Sequence, residues 1–443
     1  MLKYKIITYG CQMNVHQSEK IAGILNNLNF ENTFSTENAD IIVFNTCCIR
    51  DNAEQRAYGN IGALKSLKKQ KRNLTIVVCG CMTQQDGAAE KLRAKFPFVN
   101  IILGTHNIDK IGDAITQYLQ KKRPITLIED TSRLCEGTPE LRSSGTNAWI
   151  DIMYGCNNFC TYCIVPYVRG REISRPKNVI ISDIKKALED GFKEITLLGQ
   201  NVNSYKDSTD NSDFASLLRD IDKISGKFRV RFMTSHPKDY NSEITDIIKN
   251  SDKICNNIHL PVQSGSNSVL KAMNRRYTKE KYLQIIDEIR AKIPDCGITS
   301  DIMIGFPGET DQDFYDTVDL VKKADFINAF TFVYSARQGT PAAKMIQVDP
   351  IIKQKRITEL VKIQNEISAK QSLKAVGNVY EVLCEDFSEK GENLFCGRTD
   401  NGKLVTFEGT RDDIGKFLKI KIDSAHASAL FGTKTEEHTD EKR

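Results

Sequence analysis

The chain has one tryptophan and six histidines among 443 residues, and no apolar run longer than a strand. Segments such as NIILG (100–104) and EITLLG (194–199) fall far short of the roughly 20 apolar residues a membrane-crossing helix needs. A helical membrane protein is excluded. The opening MLKYKIITYGCQMN enters a strand pattern at once, without a basic region or a long apolar core. No secretory leader is therefore expected, and the cytoplasm is the expected compartment. Net charge is only +5, less than a dedicated nucleic-acid domain carries, so charge alone does not establish an RNA partner. No internal repeat is visible, and the length suits about three domains.

Cysteine, by contrast, is abundant, with 13 copies. Disulfides are rare in a reducing compartment, so clustered thiols point to metal or catalysis. Cys255, Cys296, Cys384 and Cys396 are scattered among apolar residues and read as small buried hydrophobes. Cys135 stands alone in a polar stretch and receives no role. The segment GCNNFCTYCIVPYVRGRE (155–172) is different: Cys156, Cys160 and Cys163 follow one another at spacings of three and two, with no fourth cysteine nearby. A structural zinc site wants four closed ligands. An iron–sulfur cube held by three thiolates leaves one iron open, a position that a cofactor or substrate can occupy.

The order of elements places these thiols. At the N-terminus YKIITYG, DIIVFNT, TIVVCG and VNIILG read as buried strands alternating with amphipathic helices, which implies a parallel α/β sheet over residues 1–120. Cys11, Cys47 and Cys81 each fall just past the carboxyl end of one of the first three strands, the edge where open α/β sheets carry their ligand sites. Period-2 alternation keeps Cys79 within its strand, while Cys81 follows Gly80 into the loop. Cys48 adjoins Cys47, and the residues alone leave the choice between them open.

Residues 121–146 are polar and turn-rich and read as a linker holding at most one strand. From 147 to 375 six βα units follow, which suits a partial (β/α)6 barrel with the Cys156 loop after its first strand, at the catalytic face of such barrels. Residues 376–435 read as short strands with Asn401-Gly402 as a hairpin turn, a small β-barrel. The charged end, 436–443, is expected to be a flexible tail.

With Tyr162 before the last cysteine, Cys-x3-Cys-x2-Cys resembles the signature of radical S-adenosylmethionine enzymes, and DIMIGFPGET (301–310) near the fifth barrel strand strengthens the likeness. TYGCQMN, NTCCIRDNAEQR and GCMTQ, followed by that motif, resemble the methylthiotransferase family in its tRNA branch, and the C-terminal barrel resembles the RNA-binding TRAM module. The resemblance implies two 4Fe-4S clusters, each with three cysteine ligands: Cys156, Cys160 and Cys163 for one, Cys11, Cys47 and Cys81 for the other. It selects Cys47 over Cys48. It implies S-adenosyl-L-methionine as cofactor, with Tyr162, Ile304 and Gly305 around its adenine. Gly199, Gln200 and Asn201 stand where many members carry a Gly-Gly-Glu run for the methionine amine, and Gln263 is a further cofactor candidate. No side chain is assigned a catalytic role, because the chemistry is borne by the clusters and the cofactor.

The implied reaction converts N6-dimethylallyl (isopentenyl) adenosine at tRNA position 37 to its 2-methylthio form. The implied partners are the tRNA anticodon stem-loop, an electron donor of flavodoxin or ferredoxin type and a sulfur donor, with the enzyme acting as a monomer. Close alternatives keep the chemistry but act on threonylcarbamoyladenosine tRNA or on a ribosomal-protein aspartate. A zinc-containing RNA-binding protein without catalysis is the alternative of another class. Arg169, Arg171, Arg175 and Lys177 are candidates for RNA phosphate. Within the C-terminal module acidic residues outnumber basic ones, so any RNA grip there rests locally on Lys416, Lys419 and Lys421. His236 and His259 fall at strand ends and are candidates for the barrel mouth, with a hydrogen-bonded core histidine as the plainer reading for each.

Overall fold

The computed structural model describes every residue except 49–50, 131–133, 135, 143–144, 390, 427–428 and 436–443. Cys135 and the tail expected to be flexible lie outside the described residues. The chain forms two compact units, one of Met1–Ser144, Met153–Arg175 and Arg337–Ala343, the other of Gly145–Ile152, Pro176–Ala336 and Lys344–Arg443.

The first unit is built on a parallel sheet in the order Glu31–Asn32, Lys3–Thr8, Ile41–Thr46, Thr75–Gly80, Ile101–Leu103, Ile125–Leu127. Its central strands are buried on both faces, as runs like IIVF and TIVVC require. Ile42, Phe44, Ile76 and Val78 pack with Ala57, Ile61 and Leu64 of the helix Asp51–Gln70. Ile41, Val43, Val77 and Cys79 pack on the other face with Ile21 and Leu25 of Gln12–Asn27 and with Ile111 and Ile115 of Ile111–Lys121. The edge strand Ile125–Leu127 comes from the stretch expected to be a linker. The basic run near residue 70 ends a helix, as its composition suggests: Lys71 reaches Asp40 at 2.8 Å and Lys68 donates to the main chain of Arg72 at 3.1 Å.

In the second unit the strands Asn147–Asp151, Glu194–Leu198 and Arg229–Phe232 pair in parallel, as do Asn257–His259, Gly297–Ile304 and Asn328–Val333. A bridge from Val230 to Ile254 joins the two runs. Helices follow every strand, ending with Pro350–Leu373, so the six βα units read from the sequence are present. Asp213, Asn241, Thr278 and Thr310 each cap a helix by accepting a main-chain N–H, the chemistry those residue types favour.

Beyond Leu373, five strands close into a barrel in the order Val379–Phe387, Leu394–Thr399, Leu404–Glu408, Ala429–Lys434, Phe417–His426. Val382, Cys384, Phe395, Val405, Phe407, Ile420 and Ile422 fill it. Cys255, Cys296 and Cys384 are buried, as expected of packing thiols, whereas Cys396 is only half-buried beside the carbonyl of Phe387 at 3.7 Å. The 399–403 turn seats against the amino-terminal ends of the (β/α)6 strands. Arg231 donates to the carbonyls of Thr399 (2.7 Å) and Asp400 (2.9 Å) while pairing with Glu194 at 2.9 Å. Arg229 reaches the carbonyls of Arg398 at 2.5 Å and Glu381 at 2.8 Å. A Cβ on Gly297 would lie 1.9 Å from the Asn401 oxygen, so only glycine permits this approach.

Candidate active site

Cys11 is the residue before the helix Gln12–Asn27, Cys47 and Cys48 follow the strand Ile41–Thr46, and Cys81 follows Thr75–Gly80. All three loops lie at the carboxyl edge of the first unit's sheet. Gly10 has φ +109°, and a Cβ there would stand 2.7 Å from the Cys47 sulfur. The Cys47 side chain thus lies against the residue before Cys11. Cys79 remains in the strand, its thiol 3.5 Å from the Phe44 carbonyl and pushed up by burial. It packs in the core and does not face the edge.

Cys81 is different. The Cys48 thiol donates to it, and the Arg169 guanidinium also faces it. Together they hold its thiol below the ordinary range despite burial, so Cys81 is the member of the pair that ionises. Arg169 is itself buried and donates from Nη2 to Asn14 Oδ1 at 2.7 Å.

The Cys156 loop belongs to the same unit. It leaves the short strand Met153–Tyr154, which pairs antiparallel with Ile173–Ser174. The Cys156 amide donates to Gly170 O at 3.1 Å, and the Cys163 amide to Cys160 O at 2.9 Å. Phe159, between the first two cysteines, takes φ +46°, the sort of backbone strain that persists where surrounding structure demands it. Tyr162 is half-buried in the loop. Ile164 and Val168, just beyond Cys163, pack with Cys48 and Cys81 in one apolar cluster. The two thiol loops therefore meet.

The donor chemistry fits anionic iron–sulfur groups: thiols on two touching loops, one poised as thiolate beside a buried cation. Among the described residues no three His, Cys, Asp or Glu side chains converge on a single ion. A cube, with iron at separate corners, spaces its ligands more widely than one ion does.

The four arginine and lysine candidates for RNA divide. Arg169 is buried on Asn14 and Cys81. Arg175 is buried and grips Glu136 through two bonds, at 2.7 and 2.5 Å. Lys177 stands 3.0 Å from both Asp210 and Asp220. Intramolecular carboxylates, amides and thiols have claimed these three. Arg171 alone is exposed, stacked 4.3 Å from the Phe159 ring centre. In the C-terminal module Lys416, Lys419 and Lys421 are all exposed.

In the second unit, Gly199, Gln200 and Asn201 follow the strand Glu194–Leu198. The Asn201 side chain is spent on structure, donating to Asp239 at 2.7 Å and accepting from the His236 amide at 3.1 Å. Gln263 is buried, takes φ +68°, and its main chain bridges to Asp301 O and Met303 N at 2.8 Å each. The Gly305 amide donates to Glu309 at 3.0 Å, and the Ile304 carbonyl accepts from Tyr334 N at 2.8 Å. These backbone groups already have protein partners.

Residues outside the motifs supply unspent polarity here. Thr234 takes φ +68°. The Ser235 hydroxyl, His236 Nε2 and both polar atoms of the Asn203 amide are buried without hydrogen-bond partners among the described residues. They follow two adjacent barrel strands at the carboxyl ends. Orphaned polar atoms there fit a polar cofactor such as S-adenosylmethionine. Asn203 and Ser235 carried no motif; the only available signal was their place just past predicted strand ends.

Three family models match successive stretches of the chain. Residues 3–104 match the model described as uncharacterized protein family UPF0004, residues 150–321 the radical SAM superfamily, and residues 373–435 the TRAM domain. The tRNA-2-methylthio-N(6)-dimethylallyladenosine synthase of Clostridium botulinum strain Langeland is 50% identical over 433 residues, covering 97% of this chain and 96% of that protein. The Carboxydothermus hydrogenoformans protein of the same name is 49% identical over 432 residues, covering 97% and 98%. Among solved structures, the radical S-adenosylmethionine methyltransferase TsrM of Kitasatospora setae, with cobalamin and a [4Fe-4S] cluster bound, aligns with TM-score 0.57 at 12% identity, over 77% of this chain and 74% of that one. That likeness concerns the fold. Matched from end to end at half identity, the chain belongs to the family of tRNA-2-methylthio-N(6)-dimethylallyladenosine synthases.

Proposed function

We propose that the chain replaces the C2 hydrogen of N6-dimethylallyladenosine at tRNA position 37 with a methylthio group. The meeting of the two thiol loops through Ile164 and Val168 carries this reading, because sulfur delivery and hydrogen removal must reach one nucleobase. Cys156, Cys160 and Cys163 would hold one 4Fe-4S cluster, and Cys11, Cys47 and Cys81 the second. When bound, the clusters and S-adenosylmethionine supply the reducing electron, the hydrogen-abstracting radical, the methyl and the sulfur. An aromatic C–H is far too weakly acidic for a side-chain base to remove under cellular conditions, which is why that chemistry is needed.

The protein's own work is electrostatic and steric. Arg169 offsets negative charge at Cys81 and, through Asn14, fixes the loops of Cys11 and Cys47. Ile164 and Val168 exclude water between the thiol loops. Ser235, His236 and Asn203 offer polar contacts to a cofactor at the barrel mouth, beside Gly199, Gln200 and Gln263. Tyr162, Ile304 and Gly305 remain candidates for its adenine. Residues 1–120 serve the sulfur-bearing site, 147–375 the radical site and 376–435 the RNA, with Arg171 and the three exposed lysines as first contacts to phosphate. We place the enzyme in the cytoplasm as a monomer, reduced by a flavodoxin or ferredoxin and resupplied by a sulfur donor. No helix among the described residues is long and apolar enough to cross a membrane.

The test compares tRNA nucleosides from strains with and without the gene. Loss of the 2-methylthio-dimethylallyl form, with accumulation of the dimethylallyl precursor, supports the reading. Persistence of the 2-methylthio form overturns it.

A further inference from the structure

In the strand Gly297–Ile304, alternate residues face opposite ways. Ser300 meets the helix layer, lying 3.5 Å from the Tyr282 hydroxyl and accepting from Val262 N at 3.0 Å, and Ile298, Ile302 and Ile304 are fully buried. Thr299, Asp301 and Met303 therefore face away from the helices. The parallel register sets His259 beside Thr299, Phe330 beside Asp301, and Phe332 beside Met303, so the six side chains share one face.

Within that face His259 Nδ1 lies 3.0 Å from the Thr299 hydroxyl and Nε2 lies 3.5 Å from Asp301 Oδ2. The Phe330 ring stands nearly perpendicular to the imidazole at 6.0 Å. A closed eight-stranded barrel fills its interior with packed side chains; the six strands here form two open three-stranded runs, and this face is left partly uncovered. Here the Asp301 side chain is 30% exposed and Phe330 45% exposed. A half-open carboxylate next to an uncovered aromatic ring asks for a flat ligand with a hydrogen-bond donor on its edge.

Building on the reading that the substrate is an N6-alkylated adenosine, we infer that this face holds the target nucleobase. Asp301, acceptor-only when ionised, takes the single hydrogen left on the exocyclic N6. Phe330 stacks on the ring, as aromatic side chains do with any base. Met303 and Phe332 give the dimethylallyl chain apolar contact. His259 is a positioning residue: with Nδ1 on Thr299, its other nitrogen turns toward Asp301 and orients the carboxylate.

The experiment uses the full chain, reconstituted anaerobically, with synthetic anticodon stem-loop RNAs carrying either N6-dimethylallyladenosine or adenosine at the target position. Fluorescence anisotropy reads RNA affinity, and equilibrium dialysis reads S-adenosylmethionine affinity. Wild type is expected to favour the dimethylallyl RNA. Asp301→Ala and Phe330→Ala each weaken binding of that RNA by about tenfold, leaving cofactor affinity and cluster absorbance unchanged. His259→Ala weakens it less, and His259→Gln, which keeps a donor toward Asp301, restores it. Phe330 is exposed, so its truncation leaves the core intact. Unchanged RNA affinity in Asp301→Ala and Phe330→Ala overturns the inference. So does a loss of cofactor affinity instead, which would assign the face to S-adenosylmethionine. If wild type itself forms no methylthio product on the dimethylallyl RNA, the proposed function fails; if it does and the variants bind like wild type, only the nucleobase assignment fails.

Discussion

Arg169 Nη2 donates to Asn14 Oδ1 at 2.7 Å, and the same guanidinium faces Cys81. Asn14 donates onward to the carbonyls of Tyr9 at 2.8 Å and Thr46 at 3.0 Å. One buried amide thus connects the chain beyond Cys163 to the loops of Cys11 and Cys47. Removing the guanidinium strips a charge-assisted hydrogen bond worth about 1.5–3 kcal/mol. Arg169→Met is expected to lower the iron retained by a variant lacking the Cys156 loop thiols, with Arg169→Lys intermediate because it keeps charge but loses the fork. Iron and sulfide equal to the parent would contradict this role.

The two thiol sets are expected to load separately. Replacing Cys156, Cys160 and Cys163 with alanine should leave about half the iron of wild type, one cluster of two. Complete loss of iron would sink the two-cluster arrangement. At the other site Cys47→Ser should remove the N-terminal cluster while Cys48→Ser keeps it, since Cys47 lies against Gly10 beside Cys11. The reverse pattern in iron content would make Cys48 the ligand.

Arg231 is buried with Glu194 and two carbonyls of the 399–403 turn. Truncating one partner of such a pair leaves an unpaired buried charge, costing about 3–5 kcal/mol. Arg231→Met is expected to unfold the second unit at clearly lower urea concentration, and Arg231→Lys should not rescue it, having no fork to span two carbonyls and a carboxylate. Coincident urea curves for wild type and Arg231→Met would refute the bracing role.

His236 supplies a pH test. Burial, with the Arg275 and Lys238 charges adding to it, lowers its pKa to about 2. Its Nδ1 accepts from Lys238 N at 3.1 Å, so the folded imidazole stays neutral. Below the ordinary histidine range the unfolded chain takes up a proton that the folded chain refuses. The associated stability is thus fully present above about pH 6.5 and declines toward pH 2, by up to about 1.4 kcal/mol per pH unit. His236→Asn should flatten the acid limb of the stability curve. Parallel acid limbs for both proteins would disprove it.

Much of this was legible in the sequence because it is local. Buried strands alternating with helices specified the parallel sheet and the partial barrel, and loops after strand ends specified where the thiols gather. Long-range contacts left no such trace. Arg169 and Arg175 sit in a run that reads as phosphate-seeking, yet burial against Asn14, Cys81 and Glu136 redirects them. RVRF (229–232) alternates arginine with apolar residues along a strand, and main-chain oxygens from about 170 residues later bury both arginines, a contact with no local trace. His259 was readable as a strand-end residue, but its alignment with Thr299, Asp301 and Phe330 is a matter of register between strands.

The seat of Asn401 against Gly297 has a practical corollary. A chain cut short after Leu373 would lose more than a module for gripping nucleic acid: Arg229 and Arg231 would face solvent without the carbonyls they bind, Arg231 keeping only Glu194, and the floor of the barrel would lie open. Inactivity in such a truncation would report a collapsed foundation, so the module's contribution to affinity is better measured by replacing its surface lysines in an otherwise whole protein.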